Sequence, residues 1–115
     1  MRTVVTAIVL FAASSGGCSG GDVSREVGAR CDTARDCDDR CLPPSNDFPD
    51  GLCTLDCQSN GECPDDTRCV DKESGVCLFT CNFTTDCSFL GPLWKCKEQN
   101  ERQDQNVKVM ACVGD

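Results

Sequence analysis

The sequence lacks histidine and tyrosine altogether and contains a single tryptophan. Without histidine, neither a Ser-His nor a Cys-His pair is present to activate a nucleophile. The sequence also has no Cys-x2-Cys pair, the spacing typical of structural zinc sites and of thioredoxin-like redox centres. We therefore expect a protein that is not an enzyme and that has no cofactor and no structural zinc.

Positive charge is scarce, with 11 Lys and Arg against 19 Asp and Glu and a net charge of −8. Nucleic acids are bound through basic patches, so this charge balance argues against a nucleic-acid partner. Acidic residues crowd together from Asp36 to Asp39 and from Pro64 to Asp66, and carboxylate oxygens are the ligands that calcium prefers. No D-x-[DN]-x-[DN]-G loop accompanies them, so we predict solvated carboxylates and no metal site.

Helical patterns are also missing. After residue 31, no stretch of a dozen residues combines 3.6-residue apolar spacing with freedom from cysteine, proline and glycine, so we expect at most a turn or two of helix near Asp32 to Asp38. Aromatic residues make up only 5% of the chain. Such a chain buries too little apolar surface in any short segment to offset its conformational entropy, so cross-links must stabilise it.

Cysteine is abundant instead, with 13 in 115 residues. This density is typical of exported proteins held together by disulfides. From Cys31 onward, twelve cysteines form three sets of four, and each set begins with the spacing Cys-x5-Cys. An acidic residue precedes the second cysteine every time: Asp36, Glu62 and Asp86. The pattern predicts three tandem four-cysteine modules, residues 31–53, 54–79 and 80–115.

The predicted fold is small and disulfide-rich, made mostly of loops and short antiparallel β-hairpins. In the second set, residues 67–71 and 76–79 flank a Lys-Glu-Ser-Gly turn, a pattern typical of a hairpin. In the third set, residues 107–113 alternate as a strand does, and residues 98–106 have no apolar side chain and should form a solvated loop. Three prolines between Cys41 and Cys53 predict an irregular loop in the first set.

The pairing within each set has three solutions. We favour the first cysteine with the third and the second with the fourth, because each bridge then ties the leading loop to one strand of the hairpin. The resulting bridges are Cys31 with Cys41, Cys37 with Cys53, Cys57 with Cys69, Cys63 with Cys77, Cys81 with Cys96, and Cys87 with Cys112. In the alternative, the third and fourth cysteines staple the two strands and a Cys-x5-Cys bridge closes the leading loop.

The N-terminus reads Arg2, then an apolar run from Thr3 to Ala13, then small residues to Gly17. The run is shorter than the roughly 20 residues that span a bilayer, so residues 1–17 are predicted to be a signal peptide. Ser15-Gly16-Gly17-Cys18 resembles the lipobox of bacterial lipoproteins, although Ser15 stands where Leu, Val or Ile is usual. The resemblance implies a lipid on Cys18, and the remaining twelve cysteines can then pair completely.

Residues 18–30 are predicted to form a flexible tether that begins at the lipidated Cys18. By the same resemblance, Ser19 implies the outer membrane of a bacterial cell envelope; without lipidation the protein would be secreted. The chain would then serve as a binding or structural surface module, with the membrane as one partner and a protein or glycan at the cell surface as another. If a partner is engaged, the candidate contact residues are Phe48, Trp94, Lys95, Lys97, Arg102 and Lys108. The alternative for Trp94 is that it packs on a disulfide as local core.

A second hypothesis comes from the loop between Cys41 and Cys53. The segment Leu42 to Leu52 reads LPPSNDFPDGL and is enclosed by two cysteines. A loop held rigid in this way binds a partner's cleft at low entropic cost. The alternative function is therefore a secreted protease inhibitor or toxin-like ligand.

Overall fold

The computed structural model describes residues 23–115, in which six strands form three separate antiparallel two-stranded sheets. We call them hairpin 1, hairpin 2 and hairpin 3 in chain order. Their strands are β1 (Arg40–Leu42), β2 (Leu52–Thr54), β3 (Thr67–Val70), β4 (Val76–Phe79), β5 (Lys95–Asn100) and β6 (Lys108–Val113). The expected class, a small disulfide-rich fold of loops and short hairpins, is confirmed. The predicted signal peptide and Cys18 lie outside the described residues.

Six disulfides join the first cysteine to the third and the second to the fourth in every set, the order favoured from the sequence. The bridges are Cys31–Cys41, Cys37–Cys53, Cys57–Cys69, Cys63–Cys77, Cys81–Cys96 and Cys87–Cys112. Each hairpin therefore has one bridge from each of its strands to the loop that precedes it. Closing loops of this length stabilises a fold by roughly 2 to 4 kcal/mol per bridge.

A short 3₁₀ helix precedes each hairpin, at Ala34–Asp36, Asn60–Glu62 and Thr84–Leu90. The acidic residue before the second cysteine explains why each loop folds alike. The Asp36 carboxylate accepts hydrogen bonds from the backbone N–H groups of Asp32 and Thr33, at 2.9 and 3.3 Å. Such charge-assisted bonds satisfy donors that the helix start leaves without partners.

Glu62 and Asp86 repeat this arrangement. Glu62 accepts from the N–H groups of Gln58 and Ser59 at 3.0 and 3.1 Å, and Asp86 from those of Asn82 and Phe83 at 2.9 Å each. In all three carboxyls, these backbone hydrogen bonds hold the pKa below its usual value. The acids that precede each second cysteine are therefore structural, and they remain ionised at neutral pH.

The apolar side chains of all three hairpins merge into one core. Leu42 and Leu52 come from hairpin 1, Leu78 from hairpin 2 and Val113 from hairpin 3, and all four are buried in the same cluster. The sequence led us to expect three units, each with little interior of its own. Instead they share their interior, because none of them has enough apolar surface to bury separately.

The predicted flexible tether ends earlier than residue 30. Val27 is buried in the core, and the N–H of Gly28 donates to the Cys53 carbonyl at 2.9 Å. In return, the N–H of Cys53 donates to the Ala29 carbonyl at 2.8 Å. Residues 28 and 29 thus pair with β2 at Cys53, because that strand has a free edge, and the turn before them places Val27 in the core, where its apolar surface is buried.

The expected solvated loop at residues 98–106 is shorter than predicted. Strand β5 continues to Asn100, and Glu101 is only 5% exposed. The Glu101 carboxylate accepts from Asn60 Nδ2 at 3.1 Å and pairs with Arg68 at 3.3 Å. Polar residues here are buried because side chains of hairpin 2, distant in sequence, supply their hydrogen-bond partners.

Among residues 23–115, no helix combines the length and the apolar character needed to cross a membrane.

Candidate binding surface

Two of the predicted contact residues, Phe48 and Trp94, are inside the protein. They are 3% and 2% exposed, and their rings lie 6.5 Å apart, tilted by 48°. Phe48 turns inward because the loop closes beneath it: its own N–H donates to Ser45 Oγ at 3.2 Å, and its carbonyl accepts from Ser45 and Gly51. Both aromatic residues therefore join hairpins 1 and 3 in the core and present no contact surface to a partner.

Arg102, a third predicted contact, holds hairpin 3 against hairpin 2. Its guanidinium pairs with Asp71 at 2.7 Å and donates to Gln58 Oε1 at 3.1 Å. Its backbone N–H donates to the Cys69 carbonyl at 2.9 Å, and that of Asp71 donates to the Asn100 carbonyl at 2.8 Å. This guanidinium is thus already occupied by the protein's own side chains.

Lys95 and Lys97 share one acidic partner. Their ammonium groups pair with the Asp115 carboxylate at 2.8 and 3.2 Å. Hydrogen bonds from Lys95 and then Lys97 hold the pKa of the Asp115 carboxyl below its usual value. Two cations facing one anion leave a single net positive charge at this end of β5.

Lys108 lies on the other face of hairpin 3. The register pairs Lys95 with Val113, Lys97 with Ala111, and Asn100 with Lys108. Because side chains alternate between faces along a strand, Lys108 and Asn100 point away from the face of Lys95 and Lys97. The Lys108 ammonium donates to Asn100 Oδ1 and is otherwise exposed. The six predicted contacts therefore do not form one patch.

Lys108 does line a shallow depression of about 470 Å³ at the side of hairpin 3. We call it the Lys108 depression and define it by Arg68, Asn82, Lys108 and Met110. Met110 is 38% exposed, and the neighbouring Phe83 is 71% exposed, a large fraction for an aromatic side chain. The depression thus combines the Lys108 ammonium, the Arg68–Glu101 ion pair, an amide and exposed apolar surface, a mixture found where proteins bind polar partners.

Sequence patterns missed Arg68, Asn82 and Met110 as companions of Lys108. Arg68 comes from β3 and Asn82 from the loop before the third 3₁₀ helix, so nothing local in the sequence brings them together. The one available indication was Met110, an exposed residue of β6 that is followed by three buried ones.

The sulfur atoms of the described residues do not form a metal centre in this oxidised protein. Three groups of cysteines have sulfurs close together: Cys31, Cys37 and Cys41; Cys57, Cys63 and Cys77; and Cys81, Cys87 and Cys112. Every one of these sulfurs belongs to a disulfide. Metal-binding thiolates would require reduction of the bridges.

Comparison with protein-family models, with curated proteins and with solved structures finds no match to this chain.

Proposed function

We propose that the chain is an exported, lipid-anchored protein of a bacterial cell envelope, and that its disulfide-bonded body acts as a binding or structural surface module. One observation carries the proposal: the six bridges use twelve of the thirteen cysteines, and the remaining one is Cys18. Disulfides of this number form in an oxidising compartment, which supports export. Cys18 then serves as the point of lipid attachment at an outer membrane.

Intact mass of the native protein tests the anchor. We expect loss of residues 1–17, added acyl mass on Cys18, and twelve hydrogens missing from the six bridges. A Cys18→Ser variant is the matched control, because it leaves all six bridges in place while removing the attachment point. The native protein should carry acyl mass and enter the detergent phase of a detergent extraction, and the variant should carry no acyl mass. A native protein without acyl mass would overturn the anchor.

A role without catalysis is supported by how the acids are used. Asp36, Glu62 and Asp86 accept backbone hydrogen bonds and have lowered pKa values, the opposite of what a general acid needs at neutral pH. Asp56 and Asp71 pair with Arg40 and Arg102. We infer that the body acts by presenting a surface.

The alternative, a protease inhibitor, is less well supported by the loop between β1 and β2. Pro43, Pro44, Ser45, Asn46 and Asp47 are the consecutive exposed residues of this loop, whereas Phe48 and Pro49 are buried. The outward residues thus include neither a cation nor a large apolar side chain with which to fill a protease specificity pocket. Inhibition of a panel of serine proteases by the full chain at micromolar concentration would favour this alternative instead.

The Lys108 depression is the surface that we propose for an anionic glycan. Lys108 lies on a protein that is otherwise acidic, and its ammonium, beside the Arg68–Glu101 ion pair, complements a carboxylate-bearing sugar. A uronic-acid oligosaccharide titrated against the full chain is the probe. We expect Lys108→Ala to weaken binding roughly fivefold, because a partly exposed ion pair contributes about 1 kcal/mol and this energy corresponds to such a change in affinity. The control is Lys95→Ala, on the opposite face; equal effects of the two variants would contradict this surface.

A further inference from the structure

The two disulfides of each hairpin lie against each other. In every set, both sulfurs of one bridge and one sulfur of the other lie within 4.8 Å of one another. The first and second cysteines always belong to this close group, although no bond joins them. The three close pairs are Cys31 with Cys37, Cys57 with Cys63, and Cys81 with Cys87.

The third and fourth cysteines of each set are also neighbours. The strand register places Cys41 opposite Cys53, Cys69 opposite Cys77, and Cys96 opposite Cys112. Residues directly opposite in an antiparallel pair have Cα atoms about 4.5 to 5.5 Å apart, within the range of about 4.4 to 6.8 Å that disulfides span. The second pairing, first with second and third with fourth, therefore needs no change of strand register.

The exposed and buried cysteines are distributed in the same proportion in all three hairpins. One cysteine in each set is partly exposed, namely Cys41, Cys63 and Cys96, and the other three are buried. An external thiolate therefore has one favoured point of attack in each hairpin.

We propose that each hairpin is a thiol-exchange unit with two disulfide pairings, and that a small thiol such as reduced glutathione converts one into the other. The proposal depends neither on the lipid anchor nor on the partner of the Lys108 depression. It makes Cys41, Cys63 and Cys96 sites of reversible modification by a thiol.

In hairpin 3, the exchange takes three steps, and each step breaks one disulfide bond as it forms another. The glutathione thiolate attacks Cys96 Sγ, the Cys81–Cys96 bond breaks, and Cys81 leaves as a thiolate. Cys81 attacks Cys87 Sγ, which breaks the Cys87–Cys112 bond and frees Cys112. Cys112 then attacks Cys96 Sγ and expels the glutathione thiolate. Cys81–Cys87 and Cys96–Cys112 have formed, nothing is oxidised or reduced overall, and the thiol is recovered.

Hairpin 1 follows the same three steps from Cys41. In hairpin 2, attack on Cys63 frees Cys77, which attacks its neighbour Cys69 across the strands. Cys57 is then released as a thiolate, attacks Cys63 Sγ and expels the glutathione thiolate.

The test uses the full oxidised chain under native conditions with a catalytic amount of reduced glutathione. After an acid quench, peptic digestion and mass spectrometry identify the bridged peptides. We expect an unchanged intact mass and new bridges confined to single sets, such as Cys81–Cys87 with Cys96–Cys112. Because the thiolate is the nucleophile, a thiol with a pKa near 8.5 should act about 75-fold faster at pH 8 than at pH 6.

Two results would overturn the proposal. One is that native pairs alone persist after prolonged exposure; the other is that bridges between different sets appear as readily as bridges within one. The same incubation in urea is the control, because an unfolded chain forms bridges between sets and shows that the mapping detects them.

Paired substitutions give a second measurement that needs no external thiol. When the double variant Cys69→Ser with Cys77→Ser is exposed to air, dissolved oxygen takes two electrons from the remaining thiols of Cys57 and Cys63, which should close into a bridge and resist alkylation in urea. The matched control, Cys37→Ser with Cys87→Ser, leaves Cys53 and Cys112 in different hairpins, and both should be alkylated once urea exposes them. A bridge in the control, or two thiols in the first variant, would contradict exchange within a hairpin.

Discussion

Gly75 lies where the turn of hairpin 2 comes close to the loop before it. Its φ is +101°, and a Cβ atom there would lie 2.2 Å from the carbonyl oxygen of Cys57. That approach is needed because the N–H of Cys57 donates to the Gly75 carbonyl at 3.1 Å. A side chain at this position would break the bond and strain the turn.

We therefore predict that Gly75→Ala lowers the free energy of unfolding by about 1 to 3 kcal/mol, as strained backbone positions do. Gly61→Ala is the control, since nothing lies within 4 Å of its added Cβ. Urea unfolding of the oxidised protein, followed by circular dichroism, measures both. Equal midpoints for the two variants would contradict the role of Gly75.

The capping acids give stability a defined dependence on pH. The folded pKa of Glu62 is lowered from 4.5, first by the hydrogen bond from the Gln58 N–H and then by that from Ser59. Because the folded pKa lies below the unfolded pKa, the ionised carboxylate contributes its full stabilisation at pH values above the unfolded pKa. This contribution disappears as the pH falls through the folded pKa.

Glu62→Gln keeps the shape of the acceptor and removes its charge. We expect the variant to be less stable than the native protein at pH 7, and the difference to shrink as the pH falls below the unfolded value and through the lowered folded pKa of Glu62. Glu98→Gln, at an exposed position of β5, should show no such convergence. The measurement is the urea midpoint at a series of pH values, and a difference that stays constant with pH would contradict the capping role.

Hairpins 2 and 3 are joined by an ion pair whose strength can be measured. Arg102 and Asp71 are 2.7 Å apart, and their side chains are 30% and 23% exposed. In a double-mutant cycle with alanine at each position, we expect a coupling energy of about 1 kcal/mol. The matched pair Arg25 and Asp38, 3.4 Å apart and 62% exposed on both sides, should give less than about 0.5 kcal/mol. Equal coupling in the two cycles would contradict this prediction.

The hairpins themselves could be predicted because their signals are local. The Lys-Glu-Ser-Gly turn between residues 67–71 and 76–79 placed β3 and β4, and the three prolines placed an irregular loop before β2. The contacts between hairpins could not be predicted in the same way. Glu101 is buried by Asn60 and Arg68, partners 41 and 33 residues away that no local pattern identifies.

The candidate site was the hardest part to predict, for a related physical reason. Phe48 and Trp94 were candidate contacts because large aromatic side chains are common at interfaces, although packing as local core was the other interpretation of Trp94. They pack inside because three small units must share one core, a requirement that appears only when all three are assembled. Lys108 was identified, but its neighbours Arg68 and Asn82 come from other segments.

At the scale of the whole molecule, six bridges and one shared core act together. Each bridge contributes roughly 2 to 4 kcal/mol, so the six together are at least comparable with the net stability of about 5 to 15 kcal/mol of a small protein. We predict that full reduction unfolds the protein at room temperature, as followed by circular dichroism and by amide hydrogen exchange. The oxidised protein in the same buffer is the control, and a reduced chain that keeps protected amides would show that the core suffices alone.

The bridge from second to fourth cysteine encloses the tip of each hairpin: Cys37–Cys53, Cys63–Cys77 and Cys87–Cys112. Hydrolysis of a peptide bond at any tip, for instance between Asn46 and Asp47, leaves the two fragments covalently joined. A protease that cuts each tip once therefore releases no piece of the chain. The nicks would become visible only when the fragments are separated on a reducing gel.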